Sequence, residues 1–196
     1  MSQHHRREFL KQSGLTAAAT AAWSLSPAAL RAAGANEKIT AAVIGPGGMG
    51  GSHLRQLVSR QDVQVAYVCD VDANRLAAAA RLVQDATGQA PKAVKDLRET
   101  LDDEAVDAVW IATPDHWHAP ATILACDAGK HVYVEKPCSH NLREGRLMVE
   151  AARRNNRVVQ IGTQSRSTEH VMQAMQALRE GLIGEVLVAK AWNSQR

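Results

Sequence analysis

The chain has 196 residues, of which 45% are hydrophobic, 22% charged and 4% aromatic, and this is the composition of a globular protein with an aliphatic core. No stretch of about 18 uninterrupted apolar residues occurs, which excludes a protein that spans a membrane several times. The formal net charge is +3, but residues 1–35 hold four basic residues against one acidic residue, and the rest of the chain holds 19 of each. Because residues 36–196 carry no excess positive charge, we do not expect them to bind nucleic acid.

The first 35 residues have the pattern of an export signal rather than of a folded domain. Arg6 and Arg7 precede Glu-Phe-Leu-Lys, an Ala-rich stretch follows over residues 14–30, and small residues fill positions 33–35. This order resembles the twin-arginine signal, which implies export of the folded protein by the twin-arginine machinery to the periplasm or beyond. An ordinary amphipathic N-terminal helix is the alternative interpretation.

From residue 38 onwards, short apolar runs alternate with amphipathic stretches. Strands are predicted at residues 39–44, 63–69, 92–94, 106–112, 131–135 and 158–161, and helices at residues 49–60, 73–86, 96–101, 120–128, 142–155 and 169–180. This alternation predicts an α/β fold over residues 36–162, with a Rossmann doubly wound parallel sheet and helices on both faces. Asn141, with Glu144 three residues later, predicts the start of one helix, and Gly129 predicts the end of another.

A last apolar run at residues 185–192 predicts one more strand. A single terminal strand would leave an unpaired edge. We therefore interpret residues 163–196 as a connecting helix and the first strand of a second domain, most of which lies outside this sequence.

The three cysteines, Cys69, Cys126 and Cys138, are odd in number and lack the CxxC spacing. This pattern argues against a disulfide framework and against a zinc site. Cys69 lies in an apolar run and Cys126 on an Ala-rich helix, so both are expected to be buried.

Residues 45–50 read Gly-Pro-Gly-Gly-Met-Gly and directly follow the first predicted strand. In such a GxGxxG turn, Gly45 permits the tight turn, Gly47 lets the backbone approach a diphosphate, and Gly50 lets the helix pack closely on the strand. Gly48 and Met49 open the helix, whose free N–H groups attract anions. The pattern predicts a dinucleotide cradle.

Asp70 closes the second predicted strand, 20 residues after Gly50. A carboxylate at this point accepts hydrogen bonds from both ribose hydroxyls and repels a 2′-phosphate, so NAD is expected as the cofactor and NADP is less favoured. Arg75 weakens this preference for NAD if its guanidinium contacts a phosphate. The alternative is that Arg75 simply pairs with Asp72.

Two further loops follow predicted strands at the edge of the sheet where open α/β proteins bind ligands. The first contains Thr113, Pro114 and His118, and the second contains Glu135 and Lys136. We expect all five residues to contribute to the cofactor site. Glu135 is expected to orient its neighbours rather than to take part in the chemistry.

The histidines near these loops have several interpretations. His116 and His118 are two residues apart, as some metal ligands are, but no third ligand is evident and we expect no metal site. The alternative is that Asp115 caps the following helix, Trp117 packs, and one of the two histidines lines the cleft. His53 is expected on the surface of the first helix or in the cleft.

The glycine turn, Asp70, residues 112–118, residues 128–132, the Glu-Lys-Pro segment at 135–137 and residues 162–164 together resemble the glucose–fructose oxidoreductase / inositol dehydrogenase / MocA (Gfo/Idh/MocA) family. The resemblance covers most of residues 38–196. It implies an NAD(P)-dependent oxidoreductase that transfers hydride to or from a hydroxyl carbon of a sugar or cyclitol, with Lys136 beside the nicotinamide and the substrate hydroxyl.

That role suits a lysine, because the alcohol oxygen loses a proton as its carbon gives up hydride, and an ammonium group stabilises the developing negative charge. Pro137 would restrain the backbone and could be cis. Members of the family usually carry a second α/β domain with further catalytic groups. We therefore interpret this chain as the N-terminal, cofactor-binding part of an enzyme that is a homo-oligomer when complete.

Two other functions stay open on the sequence alone. One is an NAD-dependent glycosidase or lyase, in which the sugar is oxidised transiently and then reduced again. The other is a nucleotide-binding module without catalytic activity. An exported protein must take up NAD before it leaves the cell, which predicts a tightly held cofactor and favours the first of the two.

Overall fold

A computed structural model describes residues 38–192. The export signal predicted at residues 1–35 lies outside the described residues and stays a prediction. The six strands are β1 (Ile39–Ile44), β2 (Val63–Cys69), β3 (Lys92–Val94), β4 (Ala108–Ile111), β5 (His131–Glu135) and β6 (Val159–Gly162). The helices are α1 (Gly48–Val58), α2 (Ala73–Thr87), α3 (Leu97–Leu101), α4 (Asp115–Asp127), α5 (Leu142–Arg154) and α6 (Glu169–Arg179), with a 3₁₀ helix at Gln164–Ser167 before α6.

The strands form one six-stranded sheet in the order β3-β2-β1-β4-β5-β6, and every neighbouring pair is parallel. The chain therefore builds outward from β1 in one direction, returns to the centre, and builds outward from β4 in the other. This arrangement confirms the predicted Rossmann fold. It also opens a crevice between the carboxyl ends of β1 and β4, where the direction reverses.

Helices cover both faces of the sheet. Ala41 and Val43 of β1 pack with Leu54 and Leu57 of α1 on one face, whereas the alternate residues of β1 pack on the other face with α4 and α5. Successive side chains of a strand point to opposite faces, so a strand segment buried on both sides must be apolar, as the last four residues of β1 are. No helix among residues 38–192 is long and apolar enough to cross a membrane.

The local end signals of the helices are confirmed. Asn141 precedes α5 and accepts a hydrogen bond from the backbone N–H of Glu144 (3.0 Å). Gly129 follows α4 with a φ of 78°, a left-handed conformation that glycine adopts without strain. Cys69 and Cys126 are buried as predicted, and burial raises the pKa of the Cys69 thiol to about 12.

Helix α4 begins earlier than predicted. It starts at Asp115 and contains Pro120, and no side chain caps its first turn, so the expected cap by Asp115 is not formed. Pro120 is the sixth residue of the helix, so it removes one helical hydrogen bond, the one that an N–H at this position would donate to the carbonyl of residue 116. Burial of one face, including His118 and Ala119, offsets that loss.

The strand predicted at residues 185–192 is not formed, which corrects that part of the prediction. These residues are exposed and pair with none of the six described strands. A strand is stable only when its N–H and C=O groups find a ladder partner. An apolar run without such a partner keeps an irregular backbone.

Candidate functional site

The glycine turn lies in the crevice between β1 and β4. Gly45 has a φ of 80°, and a Cβ atom there would lie 2.8 Å from the carbonyl oxygen of Ala112, directly after β4. A Cβ atom on Gly50 would overlap the carbonyl oxygen of Gly45. The turn, helix α1 and β4 therefore approach one another at distances that exclude any side chain at these two positions.

The first turn of α1 is open to a ligand. Its N-cap residue is Gly47, which offers no side-chain hydrogen bond, and the first turn has no acidic residue. A Cβ atom on Gly48 would meet no neighbouring atom, and Met49 is 47% exposed. Unpaired N–H groups at a helix N-terminus attract phosphate, so these residues fit the diphosphate of a dinucleotide.

Asp70 lies beside this turn. The backbone N–H of Gly45 donates to the carbonyl of Cys69 (2.8 Å), which joins the end of β1 to the end of β2. The half-buried Asp70 carboxylate accepts a hydrogen bond from the N–H of Asp72 (2.9 Å), which fixes its orientation. Asp70 thus stands at the end of the strand next to the glycine turn, the place from which an acidic residue binds the ribose in this fold.

Thr113 and Pro114 follow β4 on the other side of the turn. The Thr113 hydroxyl is buried and has no hydrogen-bond partner among the described residues. A buried hydroxyl without a partner is costly, so its place beside the glycine turn suits a polar group of a bound ligand. Pro114 is the N-cap residue of α4 and is exposed.

His118 connects the loops that follow β4 and β5. Its ring is 1% exposed, and its nitrogens lie 2.6 Å from the carbonyl oxygen of Pro137 (Nδ1) and 2.8 Å from that of Thr113 (Nε2). Both nitrogens are therefore occupied within the protein. Direct cofactor contact by His118 stays a prediction, and the geometry favours a role in holding the two loops together.

Glu135 is the centre of a buried hydrogen-bond network. It is 3% exposed, lies 2.7 Å from His53 Nε2, accepts from the backbone N–H of Lys136 (3.1 Å), and also accepts from the side chain of Gln164. Burial alone would raise the pKa of this carboxyl, but the hydrogen bonds from His53, Lys136 and Gln164 outweigh burial and lower it. Glu135 is therefore a carboxylate held in place by its neighbours, and its contribution to the cofactor site stays a prediction.

Gly162 on β6 completes this network from the far side. A Cβ atom at this position would lie 2.8 Å from the Tyr133 hydroxyl oxygen and 2.9 Å from Glu135 Oε1. Both distances are shorter than a packed carbon atom tolerates, so β6 can approach the network only with glycine here.

Lys136 is the exposed member of the group. It follows the buried Glu135 at the carboxyl end of β5, and the peptide bond to Pro137 is cis. Its backbone is held by Glu135 through the Lys136 N–H and by His118 through the Pro137 carbonyl. The side chain extends from a restrained backbone at the ligand-binding edge of the sheet.

The sequence did not identify the roles of His53 and Gln164. A signal for His53 was present, because it shares the inward face of α1 with Gly50, Leu54 and Leu57, and a buried histidine requires a polar partner. Gln164 lies in the segment 162–164 that resembles the family, but nothing in the sequence indicates its contact with Glu135, because it is exposed and precedes α6 in a 3₁₀ turn.

A cation site is not apparent among residues 38–192, where no group of three or more His, Cys, Asp or Glu side chains could hold a metal ion. The glycine turn, the uncapped start of α1, Asp70 and the buried Thr113 hydroxyl instead share one edge of a Rossmann sheet. This combination defines a dinucleotide-binding protein.

Comparison with known proteins identifies the family within this class. A family model described as an oxidoreductase family with an NAD-binding Rossmann fold, Gfo/Idh/MocA, matches residues 39–163. The chain belongs to this family, and NAD is accordingly its cofactor.

Three relatives illustrate the range of the family. A glycosyl hydrolase family 109 protein of Stenotrophomonas maltophilia is 33% identical over 192 residues, which cover 95% of this chain and 41% of that protein. A levoglucosan dehydrogenase of Pseudarthrobacter phenanthrenivorans is 38% identical over 92 residues, 47% of this chain and 24% of that protein. The crystal structure of myo-inositol 2-dehydrogenase from Lactobacillus plantarum superposes with a TM-score of 0.67 at 28% identity, over 76% of this chain and 43% of that one. The chain spans less than half the length of each of these relatives.

Proposed function

We propose that the full-length protein is an NAD-dependent oxidoreductase that transfers hydride to or from a hydroxyl carbon of a sugar or cyclitol. The observation that carries this proposal is Lys136, an exposed lysine on a restrained backbone at the carboxyl end of β5, two strands from the glycine turn. The names of two relatives, a myo-inositol 2-dehydrogenase and a levoglucosan dehydrogenase, support the substrate class.

NAD supplies hydride transfer at its nicotinamide ring when it is bound. In the direction of reduction, the Lys136 ammonium would stabilise the negative charge on the substrate oxygen and donate a proton to it from Nζ. In the direction of oxidation, the neutral amine would accept the hydroxyl proton at Nζ. Glu135 and His118 act through the backbone. Glu135 accepts a hydrogen bond from the N–H of Lys136, and His118 lies within hydrogen-bond distance of the carbonyl oxygen of Pro137. Positioning of this kind is worth a large part of a catalytic rate.

The test is Lys136→Ala in the full-length protein. Because Lys136 lies away from the glycine turn, we expect NAD affinity to stay within about twofold of wild type, while kcat falls at least ~100-fold. Lys38→Ala is the matched control, since Lys38 is exposed at the amino end of β1, on the opposite edge of the sheet. An unchanged kcat in Lys136→Ala would exclude Lys136 from the chemistry.

A second candidate is a glycosidase or lyase that uses NAD without net redox change. It is favoured by the relative named a glycosyl hydrolase family 109 protein, which matches 95% of this chain. The predicted export signal points the same way, because a protein that leaves the cell after folding must retain its NAD.

Turnover without added NAD separates the two candidates. The full-length protein, purified with the NAD it retains, is incubated with a panel of sugars, cyclitols and glycosides. A dehydrogenase stops after one equivalent of product and accumulates NADH. Continued release of product without NADH accumulation would instead establish the glycosidase or lyase.

A further inference from the structure

Arg75 lies across the glycine turn. It stands in the first turn of α2, and a Cβ atom on Gly47 would lie 3.3 Å from both Cδ and Nη1 of Arg75. Gly47 is the N-cap residue of α1 and the point at which the backbone of a GxGxxG turn comes closest to a bound diphosphate. The guanidinium therefore lies at the mouth of the diphosphate cradle.

The start of α2 keeps Arg75 in this place. The Asp72 carboxylate accepts hydrogen bonds from the backbone N–H groups of Asn74 (2.8 Å) and Arg75 (3.1 Å), and these bonds lower the pKa of Asp72. These hydrogen bonds hold the backbone of Arg75 in place, and they occupy one carboxylate oxygen of Asp72. No carboxylate of the described residues forms an ion pair with the guanidinium within 4.0 Å. Asp72, one of the two partners that the sequence left open, attracts the guanidinium through its charge without a direct contact.

The electrostatics of this placement call for an anion. The N-terminus of α1 carries a partial positive charge, so an anion bound between it and the Arg75 guanidinium is attracted from both sides. A diphosphate in the cradle provides that anion, and it would be attracted by both the N–H groups of α1 and the guanidinium. Asp70 lies further along the edge, at the position that reads the ribose.

We propose that Arg75 binds the diphosphate of the cofactor. This inference rests on the NAD binding of the family and is independent of the reaction proposed above. Because the diphosphate is common to NAD and NADP, Arg75 strengthens the binding of both, and the preference between them stays with Asp70. A contact with the 2′-phosphate would instead strengthen NADP alone.

Calorimetric titration of the full-length protein, freed of bound nucleotide, with NAD, NADP, ADP-ribose and adenosine tests this assignment. A charge-assisted hydrogen bond predicts that Arg75→Ala weakens NAD, NADP and ADP-ribose by the same factor, on the order of tenfold to a hundredfold, and leaves adenosine unchanged. Arg75→Lys keeps the charge without the planar fork and should recover part of the affinity.

Arg81→Ala is the control, since Arg81 is exposed further along α2, and circular dichroism checks that each variant folds. Two results would overturn the proposal. A loss confined to NADP would assign Arg75 to the 2′-phosphate, and wild-type affinity of Arg75→Ala for all four ligands would make Arg75 a solvent-facing residue. Either result leaves the proposed oxidoreductase function untouched, and loss of kcat in Lys136→Ala does not bear on Arg75.

Discussion

Glu135 shows how one buried residue organises this site. A buried carboxylate is costly unless hydrogen bonds and charge compensate for the lost water. Here His53 comes from the helix that follows the glycine turn, Gln164 from the segment after β6, and the Lys136 N–H from the next residue. The cofactor cradle and the proposed catalytic lysine are therefore joined through a single side chain.

This network predicts a specific dependence of stability on pH. The pKa of Glu135 is lower in the folded protein than its ordinary value, so its stabilisation is complete above the unfolded pKa of about 4.3 and is lost as the pH falls through the folded pKa. Glu135→Gln should lower the free energy of unfolding at neutral pH by roughly 1–3 kcal/mol. It should also make that free energy less sensitive to pH in the acid range.

Urea denaturation of both proteins between neutral and acid pH measures the effect. Glu150→Gln serves as the control, because Glu150 forms an exposed ion pair with Arg146 on the surface of α5, and exposed pairs contribute little. If the curves of wild type and Glu135→Gln run parallel into acid, the Glu135 carboxylate does not stabilise the fold in the way described.

At the scale of one element, helix α5 begins in the structure where its local sequence predicts. Asn141 accepts from the N–H of Glu144, and the Glu144 carboxylate returns to the N–H of His140 (2.8 Å), one residue before the cap. These reciprocal bonds satisfy N–H groups that the helix itself leaves free. A pattern of this kind spans only a few residues, which is why the start of α5 could be predicted from the sequence.

Asn141→Ala should therefore destabilise the protein by about 1 kcal/mol, the usual contribution of an N-cap side chain. Asn74→Ala is the comparison, because Asn74 is exposed within α2 and contributes its backbone N–H rather than its side chain to the local hydrogen bonds. Chemical denaturation should show no loss for Asn74→Ala. Equal stability of the two variants would mean that the cap of α5 is energetically unimportant.

Helix α4 marks the limit of local reasoning. The helical pattern of the sequence begins at residue 120, whereas the structure begins the helix at Asp115. The additional turn is stabilised by tertiary contacts, since His118 links the loops after β4 and β5 and its neighbour Ala119 is buried in the core. Packing against the sheet outweighs the preference of a single residue.

At the scale of the whole molecule, the residues after β6 differ from the rest of the described chain in the exposure of their apolar side chains. The large apolar side chains of α6 and of the segment after it, such as Met172, Leu182 and Trp192, are exposed within the part of the chain that the structure describes. The apolar run at residues 185–192, which contains Trp192, led to the prediction of a strand that the structure does not show. Apolar character indicates that a segment tends to be covered, but a strand also requires a neighbouring strand in the correct register.

The amino-acid sequence by itself determined the α/β class, the glycine turn, the spacing of Asp70 and the Glu-Lys-Pro segment, because each is a periodic or local pattern within a few turns of chain. The tertiary structure alone decided that β1 lies between β2 and β4, that His53 meets Glu135 across 82 residues, and that Arg75 crosses Gly47. Such contacts depend on how strands and helices pack, and local residue preferences do not specify which distant partner a side chain meets. The Rossmann cradle could therefore be predicted from the sequence, whereas the network that holds the backbone of Lys136 at the same edge of the sheet is seen only in the folded chain.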